Sequence, residues 1–124
     1  VTLHVPLTDE TRGMINKETL GKMKQGSYLV NTARGPIVDE SDLVEALISG
    51  KLGGAALDVF ESEPQISPDL LIQPNVIMTP HIASATYDAR NKMGEQAVLG
   101  IIDTLSDIKP QNMVNEKVWE KRRK

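Results

Sequence analysis

Four short apolar runs separated by helix-forming stretches constrain this chain more than any other feature. They are Val1-Thr2-Leu3-His4-Val5-Pro6, Ser27-Tyr28-Leu29-Val30-Asn31, Gly53-Gly54-Ala55-Ala56-Leu57-Asp58-Val59-Phe60 and Asn75-Val76-Ile77-Met78-Thr79-Pro80. Each is too short for an ordinary helix and is bounded by glycine, proline or polar residues, which reads as a strand. None alternates apolar with polar residues as a half-exposed strand does, so the spacing predicts parallel strands with both faces covered. The intervening stretches read as helices. Asn16 caps a short one over Lys17 to Lys24 that Gly26 ends, and Asp39, Glu40 and Asp42 precede an amphipathic one carrying Leu43, Val44, Ala46, Leu47 and Ile48 up to Gly50. Pro68 opens a single turn. Ser84 or Thr86 caps a long helix from Tyr87 to Leu105 with Met93, Ala97, Val98, Ile101, Ile102 and Leu105 on its apolar side. The small residues from Gly53 to Ala56 leave room for a helix to approach. The fold class is α/β, with about four parallel strands and their helices. That is the second half of a doubly wound, Rossmann-like sheet, since the full unit has about six strands. The chain opens flush on an apolar strand, so it is expected to be a piece of something larger.

The 124 residues, 40% of them hydrophobic, suffice for a core, and no apolar run is long enough to span a bilayer. No export signal is read in these first residues and none is expected, and the absence of cysteine in this sequence excludes a disulfide scaffold and a cysteine zinc site within it. The expected setting is cytoplasmic, with no membrane and no metal. A net charge of −3 and only four aromatic residues (one Trp, two Tyr, one Phe) argue against a nucleic-acid partner. The basic tail from Lys117 to Lys124 reads as a solvated end.

In open parallel sheets, ligands bind beyond the carboxyl ends of the strands, so the polar residues just after each apolar run carry the functional signal. These are His4, Asn31 to Arg34, Asp58 to Glu63 and His81. Sequential strands usually lie side by side, which brings Arg34, Glu63 and His81 to one rim. The chemistry suiting these three is carbonyl reduction or its reverse, because hydride transfer to a ketone leaves an alkoxide that needs a proton. His81 can supply it, Glu63 can hold the ring and favour the imidazolium, and Arg34 can grip a carboxylate with its planar fork. Together they fit a 2-oxo acid. On polarity and position alone, other readings stay open: Arg34 as a surface ion-pair partner, Glu63 as a solvated loop residue and His81 as a turn histidine.

The strings themselves go further. Asn31-Thr32-Ala33-Arg34-Gly35, Leu57-Asp58-Val59-Phe60-Glu61-Ser62-Glu63-Pro64 and Thr79-Pro80-His81-Ile82-Ala83-Ser84 resemble, in order and spacing, three signature segments of the D-isomer-specific 2-hydroxyacid dehydrogenases. His4-Val5-Pro6-Leu7-Thr8 and Val114-Asn115 extend the resemblance over nearly the whole chain. It is similar to the glyoxylate and hydroxypyruvate reductase branch, with phosphoglycerate and lactate members alike over these strings. The resemblance implies that Arg34 binds the substrate carboxylate and carbonyl oxygen, His81 is the acid/base and Glu63 its partner. Glu61 is a decoy, because the family places the active acid immediately before proline. It also implies NAD or NADP as cofactor, with Asp58 receiving the nicotinamide carboxamide and Val5 and Pro6 in the adenosine-side wall. Thr32, Ala33, Arg34, His81, Ile82 and Ala83 would be further contacts to the cofactor.

The family's glycine-rich phosphate loop, G-x-G-x-x-G, does not occur here, and nothing chooses between NAD and NADP. Residues 1–85 are therefore expected to be the carboxyl-terminal half of the NAD(P)-binding domain. Residues 86–124 would be a long helix and tail returning to a substrate domain, in a protein expected to be a homodimer. On its own such a piece should turn over little and, with the edge of its first strand open, should self-associate. The competing function is an interaction protein of the corepressor kind on the same scaffold. A formate-type dehydrogenase is disfavoured, because that branch lacks the Glu and His pairing.

Overall fold

The computed structural model describes residues 1–122. Its elements run β1 (Thr2–Leu3), α1 (Lys17–Lys22), β2 (Ser27–Asn31), α2 (Glu40–Ile48), β3 (Leu52–Leu57), α3 (Pro68–Leu71), β4 (Val76–Met78) and α4 (Tyr87–Leu105). Short 3-10 turns cover Gly35–Ile37 and Glu116–Lys121. The strands form one parallel sheet in the order β1-β2-β3-β4. Local chemistry accounts for the helix starts. Asn16 and Thr19 form a reciprocal cap on α1, Asp39 accepts from the Asp42 amide at α2, and Thr86 accepts from the Ala89 amide at α4. The ladders are shorter than the apolar runs: the first pairs over two residues, the third stops before Asp58 and the fourth before Thr79. The chain forms two compact units, divided between Ala83 and Ser84.

In the first unit, Leu20 of α1, Leu43 and Leu47 of α2 and Leu70 of α3 join Leu29, Leu52 and Leu57 of the sheet in a single apolar core. The expectation that both sheet faces are covered is not met among the described residues. Leu3, Leu29, Ala55 and Leu57 face the helices, whereas on the other face Tyr28 is 64% and Ile77 70% exposed. The cause is topological. Strands added always in the same direction through right-handed crossovers put every intervening helix on the same side. Nor does a helix fill the space above Gly53 and Gly54. A Cβ on Gly54 would meet the Asn75 carbonyl oxygen at 2.6 Å and the Tyr28 ring at 3.2 Å, and one on Gly53 would meet the Gly26 carbonyl oxygen at 2.6 Å. The glycines admit a neighbouring aromatic ring and loop carbonyls.

In the second unit, α4 has the expected bounds, but none of its residues is buried, Met93, Val98, Ile101, Ile102 and Leu105 included. Past α4, Arg122 stacks on the Trp119 ring at 3.5 Å and pairs with Asp107, and Lys109 pairs with Glu116. Of the basic tail, Arg123 and Lys124 lie outside the described residues. No helix among the described residues is long and apolar enough to cross a membrane.

Candidate active site

Register alone sets out the site. Leu3 pairs with Asn31, Asn31 with Leu57 and Leu57 with Met78, so all four strands end on one line. The residues that follow, His4, Thr32, Asp58 and Thr79, therefore start four adjacent loops at the carboxyl edge, where parallel sheets bind ligands.

After β2, the buried Asn31 side chain accepts from the Ala33 amide at 3.0 Å and donates to the Arg34 carbonyl oxygen at 3.0 Å. This turn projects Arg34 to the surface, where Nη1 donates to the Ala33 carbonyl oxygen at 2.6 Å. Gly35 then passes beneath the next loop so closely that a Cβ there would lie 1.8 Å from the Phe60 carbonyl oxygen. That approach sets Arg34 beside the loop carrying Glu63, near enough for its charge to bear on the Glu63 carboxylate.

After β3, Asp58 is buried, and its carboxylate accepts from the Thr79 hydroxyl, the Ile82 amide at 2.8 Å and the Ala83 amide at 2.8 Å. Its carbonyl oxygen accepts from the His81 amide at 2.9 Å. These bonds hold His81 at φ 54°, in the left-handed region that costs an L-residue roughly 1–3 kcal/mol and persists only where the surroundings fix it. Glu63 completes the arrangement. Its Oε1 accepts from the Phe60 amide at 3.0 Å, and its Oε2 lies 2.9 Å from His81 Nδ1, leaving Nε2 as the ring nitrogen not engaged by Glu63. Phe60, Pro64, Ile66 and Pro80 wall a small cleft of about 180 Å³ against this pair.

The electrostatics follow from these contacts. The His81 hydrogen bond, followed by the Phe60 amide, holds the Glu63 carboxyl below its ordinary range against a smaller opposing effect of burial, and the charges of His81 and Arg34 add to the lowering. Burial alone would raise Asp58, but the Thr79, Ala83 and Ile82 hydrogen bonds and the charge of His81 together outweigh it and hold it low. A carboxyl depressed by folding contributes stability that is complete above its unfolded value and is lost as pH falls through the folded one. Asp58→Asn is therefore expected to destabilise the fold by about 1.5–3 kcal/mol at neutral pH, the scale of hydrogen bonds to a charged group. The difference should shrink as acid protonates the native Asp58, which denaturant melts of both proteins across pH will show.

Of the cofactor residues expected from sequence, Val5, Pro6, Thr32, Ala33 and Arg34 line one groove with His4 and Leu7, about 600 Å³ in volume, between the β1 and β2 loops. Its walls mix polar groups with apolar ones in nearly equal measure, and its size falls in the range of small-molecule sites. It therefore fits one end of a dinucleotide, while a pyrophosphate loop is not among these residues. His81, Ile82 and Ala83 lie past β4, and the Asp58 carboxylate is turned into that same loop. Asn31 and Thr79, to which the sequence assigns no specific role, hold the loops of Arg34 and His81. An Asn or Thr closing a strand two or three residues before a turn is the available signal.

A model of the D-isomer specific 2-hydroxyacid dehydrogenase NAD-binding domain matches residues 1–83. The chain belongs to this family. It is 51% identical over 124 residues to the glyoxylate reductase of Thermofilum pendens, covering 98% of this chain and 36% of that protein. With the glyoxylate/hydroxypyruvate reductase B of Serratia proteamaculans it shares 46% identity over 122 residues, 98% of this chain and 38% of the relative. Among solved structures it resembles the NADPH-dependent glyoxylate/hydroxypyruvate reductase of Sinorhizobium meliloti in complex with NADP and malonate. The TM-score is 0.80 at 40% identity, over 85% of this chain and 33% of that one. The chain thus spans about a third of the length of the curated relatives it matches. The family model covers the same residues as the first unit, 1–83, which carry the rim of loops just described.

Proposed function

We propose that the whole protein reduces a small 2-oxo acid of the glyoxylate or hydroxypyruvate kind to the D-2-hydroxy acid, using NADH or NADPH. The observation that carries the reading is the Glu63–His81 hydrogen bond at 2.9 Å on a rim where Arg34 is close enough to act on Glu63. The nicotinamide cofactor supplies the hydride. Arg34 grips the substrate carboxylate with two parallel N–H donors and polarises the neighbouring carbonyl oxygen. His81 delivers a proton from Nε2 to that oxygen, while Glu63 fixes the ring through Nδ1. Val5, Pro6, Thr32 and Ala33 receive the adenosine side, Asp58 acts at the nicotinamide end, and Ile82 and Ala83 border the ring. Residues from 86 onward return the chain to a substrate domain, and the protein works as a cytoplasmic homodimer. The reductase names of the relatives support the substrate class.

The test is oxidation of NADH and NADPH by the whole protein with glyoxylate or hydroxypyruvate, read by loss of reduced-nicotinamide absorbance. Arg34→Ala removes two charge-assisted hydrogen bonds, so kcat/KM should fall by about a hundredfold to a thousandfold. Arg34→Lys should recover little, because an ammonium cannot reproduce the fork. A wild-type protein inert toward both oxo acids would sink the reading.

A further inference from the structure

We infer that Glu40, in the first turn of α2, is a positioning residue for the Glu63–His81 pair, its carboxylate anchoring the Phe60–Glu61 peptide, which adjoins the one whose N–H aligns Glu63. The inference rests on the reductase reading above. Glu40 Oε1 accepts from the Glu61 amide at 2.7 Å. The same peptide unit, Phe60–Glu61, has its carbonyl group packed onto Gly35. It is therefore fixed at both ends by one continuous segment, Arg34 to Glu40, which also carries the substrate-gripping arginine. Immediately before it, the Phe60 amide donates to Glu63 Oε1, and Glu63 Oε2 meets His81 Nδ1. Without that clamp the turn from residue 60 to residue 63 is freer to shift, and with it the Glu63 carboxylate, which the Phe60 N–H of the preceding peptide aligns and which orients the ring. Glu40 thus ties helix α2 to the acid–base pair across a contact that neither sequence neighbourhood reveals.

An acid at this position has a simpler explanation, because a carboxylate in the first turn of a helix is favoured by the helix dipole. The surroundings argue for more than that. Glu40 is half-buried beside the like-charged Glu61, and burial followed by that charge disfavours its ionised form, while the Glu61 amide holds it in place. The two explanations part on chemistry: a dipole needs the charge, whereas orientation of an N–H needs only an acceptor oxygen at the same reach. Glu40→Gln keeps the oxygen and loses the charge, and Glu40→Ala loses both.

In the whole protein, Glu40→Ala is expected to lower kcat for glyoxylate reduction about tenfold, the scale of a sub-ångström misplacement of a catalytic group. KM for the oxo acid should change less than about twofold, since Arg34 is held independently by Asn31. Glu40→Gln should stay within about twofold of wild type in both. Hydrogen exchange across residues 60–63 should accelerate in the Ala variant and return to the wild-type rate in the Gln variant. Equal impairment of Gln and Ala overturns the inference, as does accelerated exchange in Ala with unchanged kcat in an active protein. An inactive wild type that nonetheless shows the exchange pattern removes the reductase reading and keeps Glu40 as the clamp of the Glu63 loop. An active wild type with no change in either variant removes Glu40 alone.

Discussion

His81→Asn in the whole protein is expected to cut kcat by about two to four orders of magnitude, the usual worth of a positioned general acid, with little loss of stability. Asparagine suits this test better than alanine. His81 sits at φ 54°, and Asn is among the few non-glycine residues that enter the left-handed region readily, so the loop can keep its shape while the titratable ring is lost. The backbone bonds from the His81 amide and the grip of Asp58 on Ile82 and Ala83 do not involve the ring and survive the change. Activity and melting temperature measured side by side then separate chemistry from folding. Glu63→Gln should cost less, because an amide oxygen can still accept from Nδ1 although the charge is gone. The pH profile supplies a second readout. With the Glu63 carboxyl held below its ordinary range by the His81 hydrogen bond first, its stabilising contribution is complete above that range and is lost as pH falls through the lowered value. Wild-type activity should therefore show no acid limb from Glu63 within or above the ordinary glutamate range. An acid limb there that disappears in Glu63→Gln would contradict the geometry.

Much of this arrangement is legible in the string of residues, for a definite reason. Short apolar runs parted by helix signals specify parallel strands, and parallel strands fix which ends face a ligand, so the loops of Arg34, Glu63 and His81 can be placed on one edge without coordinates. What cannot be read is set by partners far away in the chain. Asp58 looks like an acid closing a strand, and only its bonds to residues 21 to 25 positions onward make it the holder of the His81 loop. Glu40 looks like an ordinary first-turn acid until the Glu61 amide is found against it. The bare sheet face escapes the sequence for a different reason. Gly54, Ala56 and Ile77 are apolar enough for a covered face, and the side on which helices pass depends on crossover direction, which leaves no mark on strand composition. The same holds for α4, whose period announces an apolar side but not what meets it.

Gly35→Ala should be the most damaging single-methyl change in the first unit, destabilising it by about 3 kcal/mol, the upper end for overpacking, because backbone rather than a movable side chain occupies the space. The added Cβ would lie 1.8 Å from the Phe60 carbonyl oxygen and 2.5 Å from the Glu61 nitrogen, so the two loops must part. Gly35 has no unusual φ, which removes backbone strain as an explanation and leaves the close approach alone. Separation also moves Arg34 away from Glu63 and loosens the Glu40 clamp. Activity should accordingly fall by more than stability accounts for, by roughly a hundredfold per ångström of displacement in protein that remains folded. Gly21→Ala is the matched control: it sits within α1 with nothing inside 4 Å of the new methyl, and it should gain up to about 1 kcal/mol from helix propensity. Chemical denaturation of both variants, with activity assayed on the folded fraction, sets a methyl that wedges the site open against one that meets only solvent. If Gly35→Ala melts with wild-type stability and keeps its activity, the β2 and β3 loops do not meet as described, and the placement of Arg34 beside Glu63 fails with them.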